Sequence, residues 1–274
     1  MHAATAREKE TGAMKYKLRS MIAAPKGKRL IACDLSQAET WVVAWLAEEV
    51  NMKHFLLTSD IHTETACALF AKPKEDIIIE ERYIGKQNNH ANSYGMGPER
   101  QAQIINKRSD QPPYVTVAVS QCKRYSAEWH GLYTGIRVWH GTIKQQLSKN
   151  MTLTTPYGRR RVFFERWGEP LWKSAYAHIP QSTVSDHFHG CVQPELGIRG
   201  GLLEVYKTIC TPEIRLVNDA HDSCMLEVPS ECAIEIGERV RSTLCRPVVI
   251  NGEEVTIPVD LEIGERWGEL EKVK

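Results

Sequence analysis

The stretch KGKRLIACDLSQAETWVVAWLAEE, residues 26–49, changes its hydrophobic period at its middle. Residues 28–33, KRLIAC, form a short apolar run behind Pro25-Lys26-Gly27, the pattern of a buried strand. From Ser36 onward the apolar residues recur at helical spacing, which predicts a helix with Ser36 as N-cap and Glu39 as its capping-box partner. Asp34 then stands where a strand gives way to a helix, on precise backbone at the edge of a sheet. Trp41 and Trp45, four residues apart on that helix, read as core.

Composition limits what such a unit can be. The 274 residues hold 35 Lys and Arg against 34 Asp and Glu, a net charge of +1 that excludes a strongly basic nucleic-acid-coating protein. With 42% hydrophobic and 25% charged residues the chain buries a core and lacks the signature of disorder. No run approaches the roughly 18 apolar residues of a membrane span, and MHAATAREKE is too polar for a signal peptide. A cytoplasmic protein is expected, nucleoid-associated or in host cytoplasm if phage-encoded. Eight cysteines with no CxxC pair read mostly as reduced core residues. His187, His189 and Cys191 have zinc-like spacing, but no fourth ligand stands nearby.

Further along, a helix is predicted over residues 80–94, ended by Gly95 and Gly97-Pro98. The loop SDQPPY, 109–114, reads as a subdomain boundary before helices at 117–133 and 138–149. MTLTTPYGRRRVFF, 151–164, reads as two short strands around Pro156-Tyr157-Gly158. Residues 172–192 look helical, with Pro180 expected to kink or split them, and 202–209 form another helix. Strands at 214–217 and 224–228 flank a polar turn, NDAHDS, and a helix at 230–244 precedes a last strand at 255–259. The fold class is α+β, a small antiparallel sheet with packed helices and a helical insertion.

Asp34 and Asp222 both sit where strands meet turns. If those strands are neighbours, the carboxylates converge and can hold Mg²⁺, which takes oxygen ligands and keeps room for water and phosphate; alternatively each is a cap or turn residue. On the 80–94 helix, Arg82, Lys86, His90 (or Asn89) and Tyr94 recur at four-residue intervals along one stripe. Two cations, an imidazole and a phenol suit phosphates and a base; a solvated polar face is the plain alternative.

These residues resemble a known family. DLSQAE at 34–39 is similar to the first palm motif of family A DNA polymerases, the bacterial DNA polymerase I type, RYIGKQNNHANSYG at 82–95 to its fingers helix, and HDS at 221–223 to its second palm motif. AAPKGKRLIACD, DIHTETACALF at 60–70, TPYGRRR at 155–161 and the ending IPVDLEIGERWGEL match in the same order, so the likeness runs collinearly from about residue 18 to the C-terminus. It implies a palm in two parts, 18–58 and 151–274, fingers at 59–150, and an N-terminal extension at 1–17 expected to be disordered. It also implies that thumb and exonuclease domains are absent, to be supplied by a second chain as in a split enzyme.

By the same likeness, Asp34, Asp222 and the Leu35 carbonyl would hold two Mg²⁺ ions, with Mn²⁺ as a substitute. His62, Arg82 and Lys86 would contact the incoming dNTP, Lys86 also protonating pyrophosphate, while Glu39 would exclude a 2′-hydroxyl. His90 would stack on the nucleotide and Tyr94 occupy the templating position. Gln181, Lys173, His221 and Arg159 would touch primer–template DNA. Several positions depart from the family pattern: His90 replaces Phe or Tyr, Ala91 and Ser182 replace Gly, Ser223 replaces Glu, and Lys173 replaces Arg. A single-subunit RNA polymerase shares HDS and the fingers spacing, but Glu39 favours the DNA type. A non-catalytic, partner-dependent relic that binds DNA is the alternative of another class, and a nuclease would leave the fingers stripe unexplained.

Overall fold

The strand predicted at residues 28–33 runs on to Leu35 in the computed structural model, which describes residues 19–109, 112–193 and 196–273. The expected extension at 1–17 lies outside the described residues, as do 110–111 of the loop read as a boundary. In chain order the strands are β1 (Lys28–Leu35), β2 (Thr152–Thr154), β3 (Arg160–Val162), β4 (Arg215–Ala220), β5 (Ser223–Pro229), β6 (Pro247–Ile250), β7 (Glu253–Thr256), β8 (Val259–Gly264) and β9 (Glu271–Lys272). The α-helices are α1 (Ala38–Leu46), α2 (Val50–Thr58), α3 (Ile61–Phe70), α4 (Ile79–Ser93), α5 (Pro98–Asn106), α6 (Val119–Leu132), α7 (Gly135–Asn150), α8 (Glu169–His189), α9 (Gly201–Thr208) and α10 (Ala233–Leu244). The class is α+β, as the sequence predicts. The chain divides into two compact units, residues 1–38 with 182–274, and residues 39–181.

The first unit is built on an antiparallel sheet in the order β4-β5-β1-β8-β9. Leu30, Ile31, Cys33 and Leu35 of β1 are buried, and α10 packs on β1 and β8. Two features of this sheet differ from the sequence-based expectation. A bulge between Leu216 and Asn218 keeps Asn218 and Asp219 paired with Met225 and Cys224, so the polar turn shrinks to His221 and Asp222. An edge strand tolerates such polar residues. The expected strand at 255–259 is two strands, because Pro258 has no N–H for the ladder. β7 pairs instead with β6 around Asn251-Gly252, both at positive φ, the Asn-Gly chemistry of a two-residue hairpin turn.

In the second unit α3, α4 and α6 pack on one another, with Trp129, Tyr133, Ile136 and Ile143 buried. Trp41 and Trp45 are buried and stacked at 5.3 Å, the core role their spacing predicts. The helix expected over 36–49 is shorter: Glu48 takes φ +49, and Glu49 caps α2 by accepting from the Asn51 amide at 3.2 Å. Residues 169–189 stay helical through Pro180 rather than splitting. The pyrrolidine costs one backbone hydrogen bond, and the buried neighbours Ile179, Thr183 and Val184 hold the segment in place.

All eight cysteines are free, but only Cys33, Cys122 and Cys224 are buried, fewer than their apolar neighbours suggest. No helix among the described residues is long and apolar enough to cross a membrane.

Gly85 sets the separation of α3 and α4. A Cβ there would lie 2.2 Å from the His62 carbonyl oxygen, so the helices would have to part. Gly85→Ala is therefore expected to destabilise the chain by about 1–3 kcal/mol despite the better helix propensity of alanine, read as a lower urea midpoint. An unchanged or raised midpoint would contradict this packing.

Candidate active site

In the first unit, two strands and a turn bring the acidic residues together. Across β1, Asp34 is the register partner of Ser223 on β5 and of Asp260 on β8. The Leu35 amide donates to the Asp222 carbonyl at 2.9 Å, so the backbones of the two candidate aspartates are one hydrogen bond apart. Asp222 follows His221, whose φ of +56° closes a two-residue turn, and Ser223 Oγ donates to the Ala220 carbonyl at 3.0 Å. Asp34 and His221 are exposed and Asp222 is half-buried.

Asp260 is a carboxylate that the sequence reading overlooked, since β8 was not recognised as the neighbour of β1. Like charges opposite each other on a sheet repel, and Lys272 relieves this by donating to Asp260 at 2.8 Å. Among the described residues no three His, Cys, Asp or Glu side chains gather into a metal-binding cluster. Two carboxylates and a backbone carbonyl are nonetheless a donor set that fits Mg²⁺, which is held by few protein oxygens and keeps its waters. His189, with the zinc-like spacing, faces the Asp219 carboxylate at 3.1 Å.

In the second unit α4 has two polar faces. Arg82, Lys86 and His90 are exposed along one side, whereas Ile84, Gly85, Asn88, Asn89, Ala91 and Asn92 are buried on the other. The buried side is bound by directional contacts. Asn89 Oδ1 accepts from Trp129 Nε1 at 2.7 Å and from Thr65 Oγ1 at 2.9 Å, its amide nitrogen lies 3.1 Å from His62 Nδ1, and Thr65 meets Tyr133 Oη at 2.8 Å. Asn89 is thus the anchor and His90 the exposed ring. His62, expected at the triphosphate, is buried in this network instead of standing with the exposed cations.

Arg82 donates through Nε and Nη2 to the two oxygens of Asp60, at 2.7 and 3.1 Å. Burial would raise the Asp60 carboxyl, but hydrogen bonds from Arg82 and Thr63 outweigh it and hold it near about 2. Tyr94 Oη donates to the Glu39 carboxylate, joining the end of α4 to the first turn of α1. Glu39 is therefore engaged by Tyr94, not by the expected capping box. Burial, the Glu39 charge and that hydrogen bond raise the Tyr94 phenol well above its usual range, so it remains a donor.

Gly95 at φ +65° ends α4: its amide reaches the Asn92 carbonyl at 3.2 Å and the Met96 amide reaches Ala91 at 2.8 Å, a Schellman closure. On α8, Lys173 bonds Glu169 at 2.8 Å and Gln181 is exposed; Arg159, after the β2 strand, is exposed as well.

Burial lowers His62 to about 4 despite the nearby Asp60 charge, and burial brings His130 and His140 to about 4 too. Unfolded, these rings take protons near pH 6.5. Between about pH 6.5 and 4 the unfolded chain therefore holds more protons, and stability falls as pH drops through that window. Each ring kept neutral contributes up to ~1.4 kcal/mol per pH unit. Denaturant titrations at about pH 7.5 and about pH 5 should show a loss of about 2 kcal/mol or more at the lower pH; equal values would contradict the neutral buried rings.

The family model for DNA polymerase family A matches residues 7–269. DNA polymerase I of Helicobacter pylori (strain ATCC 700392 / 26695) is 27% identical over 258 residues, covering 92% of this chain and 26% of that protein. The thermostable DNA polymerase I of Thermus aquaticus is 24% identical over 259 residues, covering 92% of this chain and 28% of its own length. The chain thus spans about a quarter of the curated relatives it matches. The fold is similar to the POL domain of Pol1 from M. smegmatis, solved in complex with DNA primer-template and dNTP, at TM-score 0.71 and 19% identity, covering 92% of this chain and 42% of that one.

Proposed function

Because the chain belongs to DNA polymerase family A, we propose that it is the core of a template-directed DNA polymerase that adds dNTPs to a primer 3′-hydroxyl. The observation that carries this is the pairing of β1 with the β4–β5 turn, which sets Asp34 and Asp222 one backbone hydrogen bond apart. In this reading 18–58 and 151–274 form the palm and 59–150 the fingers.

Asp34, Asp222 and the Leu35 carbonyl would hold two Mg²⁺ ions, which when bound activate the 3′-hydroxyl and offset charge on the leaving pyrophosphate. Lys86, exposed on α4, neutralises the triphosphate and protonates the departing pyrophosphate. Arg82 joins it once a phosphate replaces Asp60 at its guanidinium, a fork suited to either anion. His62, buried and neutral, serves as a hydrogen-bonding group and not as a cation. His90, edge-on to Tyr94 with ring centroids 5.2 Å apart, offers a face to the base.

Glu39 excludes a 2′-hydroxyl by its bulk and by being held on the Tyr94 phenol. Tyr94 fills the templating position until α4 moves. Gln181, Lys173, His221 and Arg159 contact primer and template. Duplex grip by a thumb comes from outside residues 18–274, in the same polypeptide or in a second chain as a split enzyme, and the reading includes no proofreading.

Primer extension on a primed DNA template with Mg²⁺ tests the proposal. Extension with dNTPs should fall about a thousandfold or more in Asp34→Asn and in Asp222→Asn. Glu39→Ala should raise use of rNTPs relative to dNTPs by about tenfold or more. Extension that survives Asp222→Asn would overturn the assignment, and parent activity with rNTPs alone would point to an RNA polymerase.

A further inference from the structure

Charge is unevenly spread along a chain whose net charge is only +1. Residues 144–173 hold seven Lys and Arg against two Glu. The β2–β3 hairpin lies within this stretch, and its outward face is unusual. Along β3 and just beyond it, Arg160, Val162 and Phe164 alternate with the inward residues Arg161 and Phe163. Phe163 is buried under Arg161, 4.4 Å from its ring centroid, whereas Phe164 is 90% exposed. Trp167, 54% exposed, follows within the same loop and rests edge-on against Trp172 at 6.0 Å. Arg159, Arg160 and Arg166 are exposed around these rings.

Leaving a phenylalanine almost wholly in water wastes the gain of burying it. A face of two exposed rings among arginines matches one occupant by charge and shape. Unpaired nucleotides offer flat bases to stack and phosphates to neutralise, whereas duplex DNA hides its base faces.

We propose that this hairpin face binds single-stranded DNA, with bases stacked on Phe164 and Trp167 and phosphates held by Arg159, Arg160 and Arg166. That the strand is the unpaired template ahead of the primer rests on the polymerase reading above. Its place in the second unit agrees: the Tyr176 ring on α8 stands 3.1 Å from where a Cβ on Gly95 would lie, at the end of α4. The loop carrying Trp167 leads into α8 about 10 Å earlier along that helix.

Fluorescence anisotropy of the full chain with a labelled oligothymidylate of about 12 nucleotides, and with a blunt duplex, tests this across about 50 to 200 mM salt. Phe164→Ala and Trp167→Ala should each weaken oligothymidylate binding at least about fivefold, with the salt slope and duplex affinity unchanged. Arg160→Ala and Arg166→Ala should each lower the salt slope by about one. Parent-like affinity in both aromatic variants overturns the proposal, as does no oligothymidylate binding by the parent at low salt, or an equal loss on the blunt duplex. Primer extension on the same preparations keeps the two readings apart. Phe164-dependent binding in a chain that does not extend primers supports the single-strand site and withdraws the claim that this chain polymerises unaided.

Discussion

Pairing of β1 on both edges is the constraint from which the first unit follows. It is hydrogen-bonded to β5 from Lys28 to Asp34 and to β8 from Leu30 to Leu35, and its inward side chains are buried. A slip of one residue against either neighbour would turn Ile31, Cys33 and Leu35 out of the core, so the register has one solution. Asp34 inherits that precision although it is itself exposed. Through the Leu35 amide the same strand also holds the backbone of Asp222 in its turn. The apolar core thus positions groups that take no part in it.

The α4 helix solves a different problem. Its mean composition is polar, and a helix polar all round has no hydrophobic reason to pack. Here the inward polar groups are bonded side chain to side chain: Asn89 to Trp129, Thr65 and His62, and Ser126 Oγ to Asn92 at 2.6 Å. Such a network is favourable only when complete, because each unsatisfied buried group costs on the order of 1–3 kcal/mol. Gly85 lets α3 come close enough for these bonds to form. On the outward side Arg82, Lys86 and His90 stay exposed, with Arg82 held by the Asp60 carboxylate.

What the sequence displayed depended on the range of the interactions involved. The apolar run before Asp34, the helix ended by Gly95 and the short strands around Pro156-Tyr157-Gly158 are local patterns, and each was legible. The bulge that carries Asn218 and Asp219 into β4 was not, because it depends on which residues of β5 lie opposite. Asp260 escaped for the same reason: its closeness to Asp34 is a matter of strand order, which no periodicity encodes. Glu39 sits where a capping box would use it, yet its partner is Tyr94, 55 residues away. Asn89 and His90 could not be told apart by spacing alone, since both lie within reach of one stripe; only packing assigns one inward and the other to solvent.

The Asn89 network also decides how load passes through the second unit. A helix seated by apolar fit alone can roll about its axis, trading one set of contacts for another of similar energy. A helix seated by directional bonds to α3 and α6 has no such neighbouring minimum. A polyanion pulling on Lys86 or Arg82 therefore tugs on the three helices as one lever. Its compliance lies at the ends, where Asp60 caps α3 and where Gly95 turns the chain after α4.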